Sequence, residues 1–355
     1  MGQEITLNQQ SKYCDSKGRL YFYDNAKFIL IFLVVLAHVI SPFKSGSEST
    51  YVVWKIINSM HMPCLIFISG FFAKRYIQPG GGLKVQRTFS YFMLYIFSQV
   101  AISVFEVLVL DNSISPSLLS ARSSLWFLQC LGVWYLILPF FEKFRLEVLL
   151  TASVIIGLII GYDKSAFNIL AISRVFVHFP FFMAGYFCTP ELITKLFNKK
   201  VRIAAVVALV ACTVFFWFFN NCFFDGIITC NYPYAKVNGL QDFPYALRWV
   251  FRLSFYLFAF ILSTAFLAVV PRKKNIFTRF GSRTLAVYIL HRFLYLCWTE
   301  LGWWEYFKDM KYVGVINVLI SVAITLVLSL KPFSYPFDLI QKISINRLLD
   351  KKKIK

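Results

Sequence analysis

The sequence predicts an all-α, polytopic membrane protein: a helix bundle with about ten transmembrane helices and both termini in the cytoplasm. Three observations predict it. Of the 355 residues, 58% are hydrophobic and only 15% are charged, whereas soluble domains run near a quarter charged. No water-soluble fold of this size can hide so much Phe, Leu, Ile and Val, and a bilayer can. Apolar runs long enough to span lipid recur along the whole chain, and Lys and Arg collect in alternate connections between them.

The apolar runs fall at about 28–43, 54–73, 88–110, 124–141, 146–162, 171–188, 203–219, 249–270, 284–300 and 313–330. The segment 1–22 is polar and carries no signal peptide, so the first run serves as its own insertion signal. With the N-terminus inside, 26 of the 37 Lys and Arg lie in cytoplasmic segments and six in outer ones. The other five, Lys55, Arg174, Arg248, Arg252 and Arg292, lie in or at the edge of spans. That asymmetry is the positive-inside pattern and fixes both ends in the cytoplasm. The chain divides into a polar cytoplasmic segment 1–22, a membrane domain 23–330 and a basic cytoplasmic tail 331–355. The loop at about 220–247 is long enough to cap the outer mouth of a bundle and too short to fold alone.

Several functional classes are excluded. A net charge of +20 invites a nucleic-acid reading, but a nucleic-acid binder concentrates its basic residues on a soluble face. Disorder is excluded by the apolar content. The eight cysteines show no metal spacing, and no metal site is expected. Cys64, Cys130, Cys188, Cys212 and Cys297 sit alone in apolar runs, as small packing residues do. Cys222 and Cys230 share one polar loop and could pair if it faces an oxidising compartment.

The chemistry is expected from ionisable groups at membrane depth, which are costly and usually face a cavity. All four histidines, His38, His61, His178 and His291, lie in or beside spans. Lys27 and His38 are eleven residues apart, about three turns, so both project from one helix face with about 16 Å between them along the axis. A phosphate-bearing donor at Lys27 could extend a thin arm to His38, or Lys27 simply anchors the helix. His61 stands beside Pro63, which frees a backbone carbonyl. Arg174 and His178 share a face of the sixth span, and Arg248 and Arg252 repeat that spacing on the eighth. These pairs either grip an anionic or polyhydroxyl acceptor or snorkel to the interface.

The residues occur in a recognisable order: Asp24-Asn25-Ala26-Lys27, His38, His61-Met62-Pro63, Phe67-Ile68-Ser69-Gly70-Phe71-Phe72, Trp126-Phe127-Leu128, Ser173-Arg174, Phe179-Pro180-Phe181-Phe182 with Gly185, then Gly281-Ser282-Arg283-Thr284-Leu285 closing on Tyr288 and His291. This series, from about 19 to 330, resembles the membrane acyltransferase type 3 family, within it the fucose 4-O-acetylase-like sugar O-acetyltransferases.

The resemblance implies an inner-membrane, multi-pass O-acetyltransferase. It would move acetyl from cytoplasmic acetyl-CoA, the cosubstrate, to a sugar hydroxyl of a cell-surface glycan or its lipid-linked precursor. It implies that His38 is the catalytic histidine and that the basic residue eleven positions earlier holds the donor. The wider family more often has Arg there; Lys27 supplies charge without the bidentate fork. Around this, Asp24 would orient Lys27, and Arg174 or His61 would stabilise the oxyanion. Lys74, Arg75 and Arg87 are further donor-binding candidates, and Trp126, His178, Arg248, Arg252 and His291 are candidates for the acceptor. The other partners expected are membrane lipids, and no nucleic acid. The alternative is a transporter or exporter of a glycan or small anion, which buried charges also suit, although no matching pair of interrupted spans is present.

Overall fold

A computed structural model describes residues 13–14, 20–76, 85–111, 123–141, 143–167, 171–219, 224–343 and 345. Most of the segment 1–22, Cys222 and the tail beyond 345 lie outside these residues, and with them the Cys222–Cys230 pairing. The protein is all-helical, 82% helix with no strand among the described residues. In lipid this is expected, because a helix satisfies its own backbone N–H and C=O groups where water cannot.

The main helices are α1 (Tyr21–Ile40), α2 (Glu48–Ala73), α3 (Val85–Leu110), α4 (Trp126–Phe141), α5 (Leu146–Ile159), α6 (Ile172–Phe187), α7 (Pro190–Lys195), α8 (Lys199–Phe218), α9 (Asp225–Thr229), α10 (Trp249–Val269), α11 (Thr284–Glu300), α12 (Val313–Leu328) and α13 (Lys331–Lys342). A helix occupies each of the ten apolar runs. Five of them, α1, α2, α3, α8 and α10, are long and apolar enough to cross a membrane by length and composition. The pair α12 and α13, bent by 55° at its junction, would be a sixth as one broken span. The remaining apolar helices are shorter, Trp126–Phe141 among them at 16 residues. About 17 residues are needed to cross unaided.

The helices form two compact units. The first comprises Met1–Leu65, Pro190–Asn220 and Phe258–Ser334, the second Ile66–Thr189, Asn221–Leu257 and Tyr335–Lys355. In the first, α1 packs against both α11 and α12, which also pack on each other. Central placement explains why α1 is buried along nearly its whole length, from Phe22 to Ile40. By contrast, α8 buries only Ala205, Cys212 and Phe216. It leaves Ile203, Val206, Val207, Val210, Val214 and Phe218 exposed. A bare apolar face of that extent suits lipid and not water.

In the second unit, α4 packs on α3 and α6, and α5 lies along α6. The C-terminal half of α2 meets α6 backbone to backbone. A methyl group on Gly70 would strike the Phe182 carbonyl, and one on Gly185 would strike the Phe67 carbonyl. Small residues at such crossings let helices approach closely where lipid gives no hydrophobic drive to associate. This accounts physically for two glycines of the motif series. Gly70→Val or Gly185→Val should therefore destabilise the protein by about 1–3 kcal/mol or more, read as a lowered melting temperature in detergent. Gly314→Val, at an open position, should leave it unchanged.

Candidate active site

The N-terminal end of α1 is tied to the chain segment that precedes α11. Asn25 is buried, and its Nδ2 donates to the carbonyls of Pro271 (2.8 Å) and Lys273 (3.0 Å). Its Oδ1 accepts from Thr278 Oγ1 at 2.7 Å. Both amide hydrogens and the oxygen are thereby used. Thr278 Oγ1 also accepts from the Asn275 backbone N–H (2.8 Å), while Asn275 Oδ1 accepts from the N–H groups of Phe277 and Thr278 (2.9 and 3.0 Å). Phe28 stacks on Phe277 with ring centroids 5.2 Å apart. Gly281 lies so close to the Asp24 carbonyl that any side chain would collide with it. Two motif segments far apart in sequence, Asp24-Asn25-Ala26-Lys27 and Gly281-Ser282-Arg283, thus form one structural element.

That element fixes Asp24 and Lys27. Asp24 stands in the first turn of α1, where the helix dipole favours an anion. Its Oδ1 pairs with Lys27 Nζ at 3.1 Å.

Toward the other end of α1, three histidines of the same unit gather. The half-buried His38 ring lies 5.2 Å from His291 and 5.1 Å from Tyr295, centroid to centroid. His61 and Arg292 are close enough to act on its charge. His291 is buried, with Nδ1 2.8 Å from the Val287 carbonyl. A carbonyl only accepts, so Nδ1 carries the proton and a neutral ring keeps its lone pair on Nε2. That Nε2 is buried with no hydrogen-bond partner among the described residues. His61 repeats the arrangement, with Nδ1 2.6 Å from the Ile57 carbonyl. Arg292 lies over the Tyr295 ring at 4.5 Å. Sequence reasoning missed Tyr295; its signal was the four-residue step from His291 on one helix face.

The second unit holds the other group. Trp126 stacks on His178 with centroids 5.1 Å apart, and the Arg174 guanidinium lies over Trp126 at 4.9 Å. Arg252 is fully buried; its Nη1 donates to the Ile227 carbonyl (2.8 Å) and Cys230 Sγ (2.6 Å). Its Nε and Nη2 have no hydrogen-bond partner among the described residues. Arg248 instead spends its guanidinium on the carbonyls of Phe243, Gln241 and Tyr234, clamping the loop before α10.

The remaining basic candidates are engaged in that unit too. Lys74 donates to the Cys188 carbonyl at 3.1 Å, and Arg75 lies over Phe72. Arg87 lies over Tyr91 and donates to Gln341 Oε1 at 3.0 Å, binding α13 to α3. The pieces are therefore grouped as His38, His61 and His291 with the Asp24–Lys27 pair in one unit, and Trp126, Arg174, His178 and Arg252 in the other. No group of three or more His, Cys, Asp or Glu side chains among the described residues is placed to hold a metal.

Apolar helices with imidazoles and guanidiniums submerged among them define a membrane protein with a polar interior site. The family model of the type 3 acyltransferases, described as an acyltransferase domain, matches residues 20–330, and the chain belongs to that family of membrane acyltransferases. No curated protein and no solved structure matches it.

Asn25→Ala would strip three hydrogen bonds, at a cost of about 1–3 kcal/mol. The expected result is faster amide hydrogen exchange across 275–281 in detergent, with the protection of α3 unchanged.

Proposed function

We propose that the protein is an O-acetyltransferase of the fucose 4-O-acetylase-like branch. It moves acetyl from cytoplasmic acetyl-CoA to a sugar hydroxyl of a cell-surface glycan or its lipid-linked precursor. In this reading it is a ten-span protein of the inner membrane, with both termini cytoplasmic. The observation that carries the reading is the histidine cluster: His38 half-buried beside His291 and Tyr295, on the α1 face that begins with the Asp24–Lys27 pair.

The chemistry follows from that placement. The His38 imidazole takes the proton of the acceptor hydroxyl as its oxygen attacks the thioester carbonyl. A C–O bond forms, the C–S bond breaks, and the CoA sulfur leaves with the proton that His38 returns. A positioned base contributes roughly two to four decades in rate. His291, its Nδ1 held by Val287, offers Nε2 to accept from a neighbouring hydroxyl of the acceptor. A neutral His61 has its only N–H on Ile57, so it too can only accept. His61 therefore does not serve as the donor to the oxyanion. Lys27, oriented by Asp24, meets the donor phosphates, and Lys74 and Arg75, both exposed, supply further charge. In the second unit, Trp126, His178 and Arg252 offer an aromatic face and a cation, groups that suit a sugar or an anion.

His38→Ala should lower acetyl transfer by about a hundredfold or more while the protein still accumulates in membranes. The readout is mass spectrometry of surface glycans together with acetyl-CoA consumption by isolated membranes; full acetylation by the variant ends the proposal. Lys27→Ala should raise KM for acetyl-CoA with a smaller change in kcat, and Lys27→Arg should restore it, because charge and reach are kept.

A further inference from the structure

The first unit contains two cavities that the histidine cluster does not use. One is a groove of about 580 Å³ between α1 and α12. Its walls are apolar, formed chiefly by Phe28, Ile29, Phe32, Phe277, Val322 and Leu326. The other, about 460 Å³, is polar and lined by Tyr21, Asp24, Lys274, Arg279 and Ser282. Asn275 and Ile276 line both, so the two adjoin. Each is the size of a ligand site.

Helix phase separates this groove from the expected catalytic line. The groove takes Asn25, Phe28, Ile29 and Phe32 of α1, a set at i, i+3, i+4 and i+7. At 100° per residue that face points roughly 140° away from the face shared by Lys27 and His38. A donor reaching His38 along the Lys27 face would not pass through it. The polar cavity is cationic: Lys274 and Arg279 are exposed, and among the described residues the Arg279 side chain makes only a ring contact, with Phe280 at 4.7 Å. Asp24, the one acid lining it among the described residues, is already paired with Lys27. Ile276 projects beside these cations and is 72% exposed. Cations around an apolar slot at the inner end of two membrane helices complement an amphiphile with an anionic head.

We propose that the groove and the adjoining basic cavity form a site for an anionic phospholipid of the cytoplasmic leaflet. An acyl chain lies between α1 and α12, and the phosphate meets Lys274 and Arg279. Asn25 and Phe28 bind the same 271–278 segment that frames the site, so a lipid seated there braces the head of α1. The proposal rests on the membrane reading and on a cytoplasmic position for residues 271–283. It does not rest on acyl transfer, and its readouts fail independently of that activity.

The test uses the full-length protein in detergent with dioleoyl phosphatidylglycerol or dioleoyl phosphatidylcholine added. Retained lipid is measured by native mass spectrometry, and stability by thermal melting. Phosphatidylglycerol should be retained in preference to phosphatidylcholine and should raise the melting temperature. The double variant Lys274→Glu, Arg279→Glu, altered only at exposed positions, should bind it about tenfold more weakly or worse. Val322→Trp should lose it with every charge intact, because the groove is filled. Inorganic phosphate and free CoA should leave it bound. Equal retention of the two lipids, or unaltered retention by the charge-reversed variant, overturns the proposal, as does displacement by CoA, which would assign the cavity to the donor.

Discussion

The constraint on which this structure depends is that lipid offers no hydrogen bonds. Each polar group carried into the bundle must find a partner inside it or keep access to water. Helix α12 shows the first solution: Ser321, Thr325 and Ser329 each donate to the carbonyl four residues earlier at 2.7 Å, so a buried polar stripe is satisfied within its own helix. Asn25 shows the second, spending its whole amide on the segment before α11. The histidines are different. His291 and His61 each satisfy one ring nitrogen on their own backbone, and His291 Nε2 is left buried and unbonded among the described residues. Asn317, two turns before Thr325 along α12, is left with both amide atoms in the same condition. Such groups are costly unless something polar visits them, and the polyhydroxyl acceptor of the proposed function would be such a visitor.

Helix α1 organises the first unit because its faces serve different neighbours. One face begins at the Asp24–Lys27 pair and ends at His38. Another closes against α12 around the apolar groove. The rigid rod between them follows from the sequence itself: an unbroken run of Phe, Ile, Leu and Val from 28 to 36 without Gly or Pro. Rigidity matters because a reacting group must be held within a fraction of an ångström. The fixing of the α1 head by Asn25, Phe28 and Gly281 supplies the fixed end of that rod.

Much of this was legible in the sequence. Apolar runs placed a helix in every expected segment, because hydrophobic length is the strongest signal a membrane imposes. The pairing of Lys27 with His38 on one face needed only helix arithmetic. The motif glycines were visible, but not their reasons: that Gly70 and Gly185 face each other across α2 and α6 depends on packing, which no local pattern encodes. Arg248 reads in sequence as the twin of Arg252, four residues apart. In three dimensions one holds a loop by its carbonyls and the other is buried against Cys230, because the loop that follows α9 folds over both. Lys74, Arg75 and Arg87 were chosen by charge alone, and their aromatic and carbonyl contacts were out of reach of a charge count. Tyr295 was missed because a tyrosine in a membrane helix looks like filler until its neighbours are known.

The central claim is that Lys27 and His38, on one face of α1, are reached by water while the opposite face closes against α12 around the apolar groove. The most direct measurement is thiol labelling along α1. The eight native cysteines are replaced, single cysteines are introduced at 27 and 38 and at 28, 29 and 32, and a water-soluble methanethiosulfonate is applied. The account predicts labelling of the first set, suppressed by CoA, and little labelling of the second. A cysteine at 38 that stays unreactive, or a labelling pattern that follows 28, 29 and 32, would contradict it.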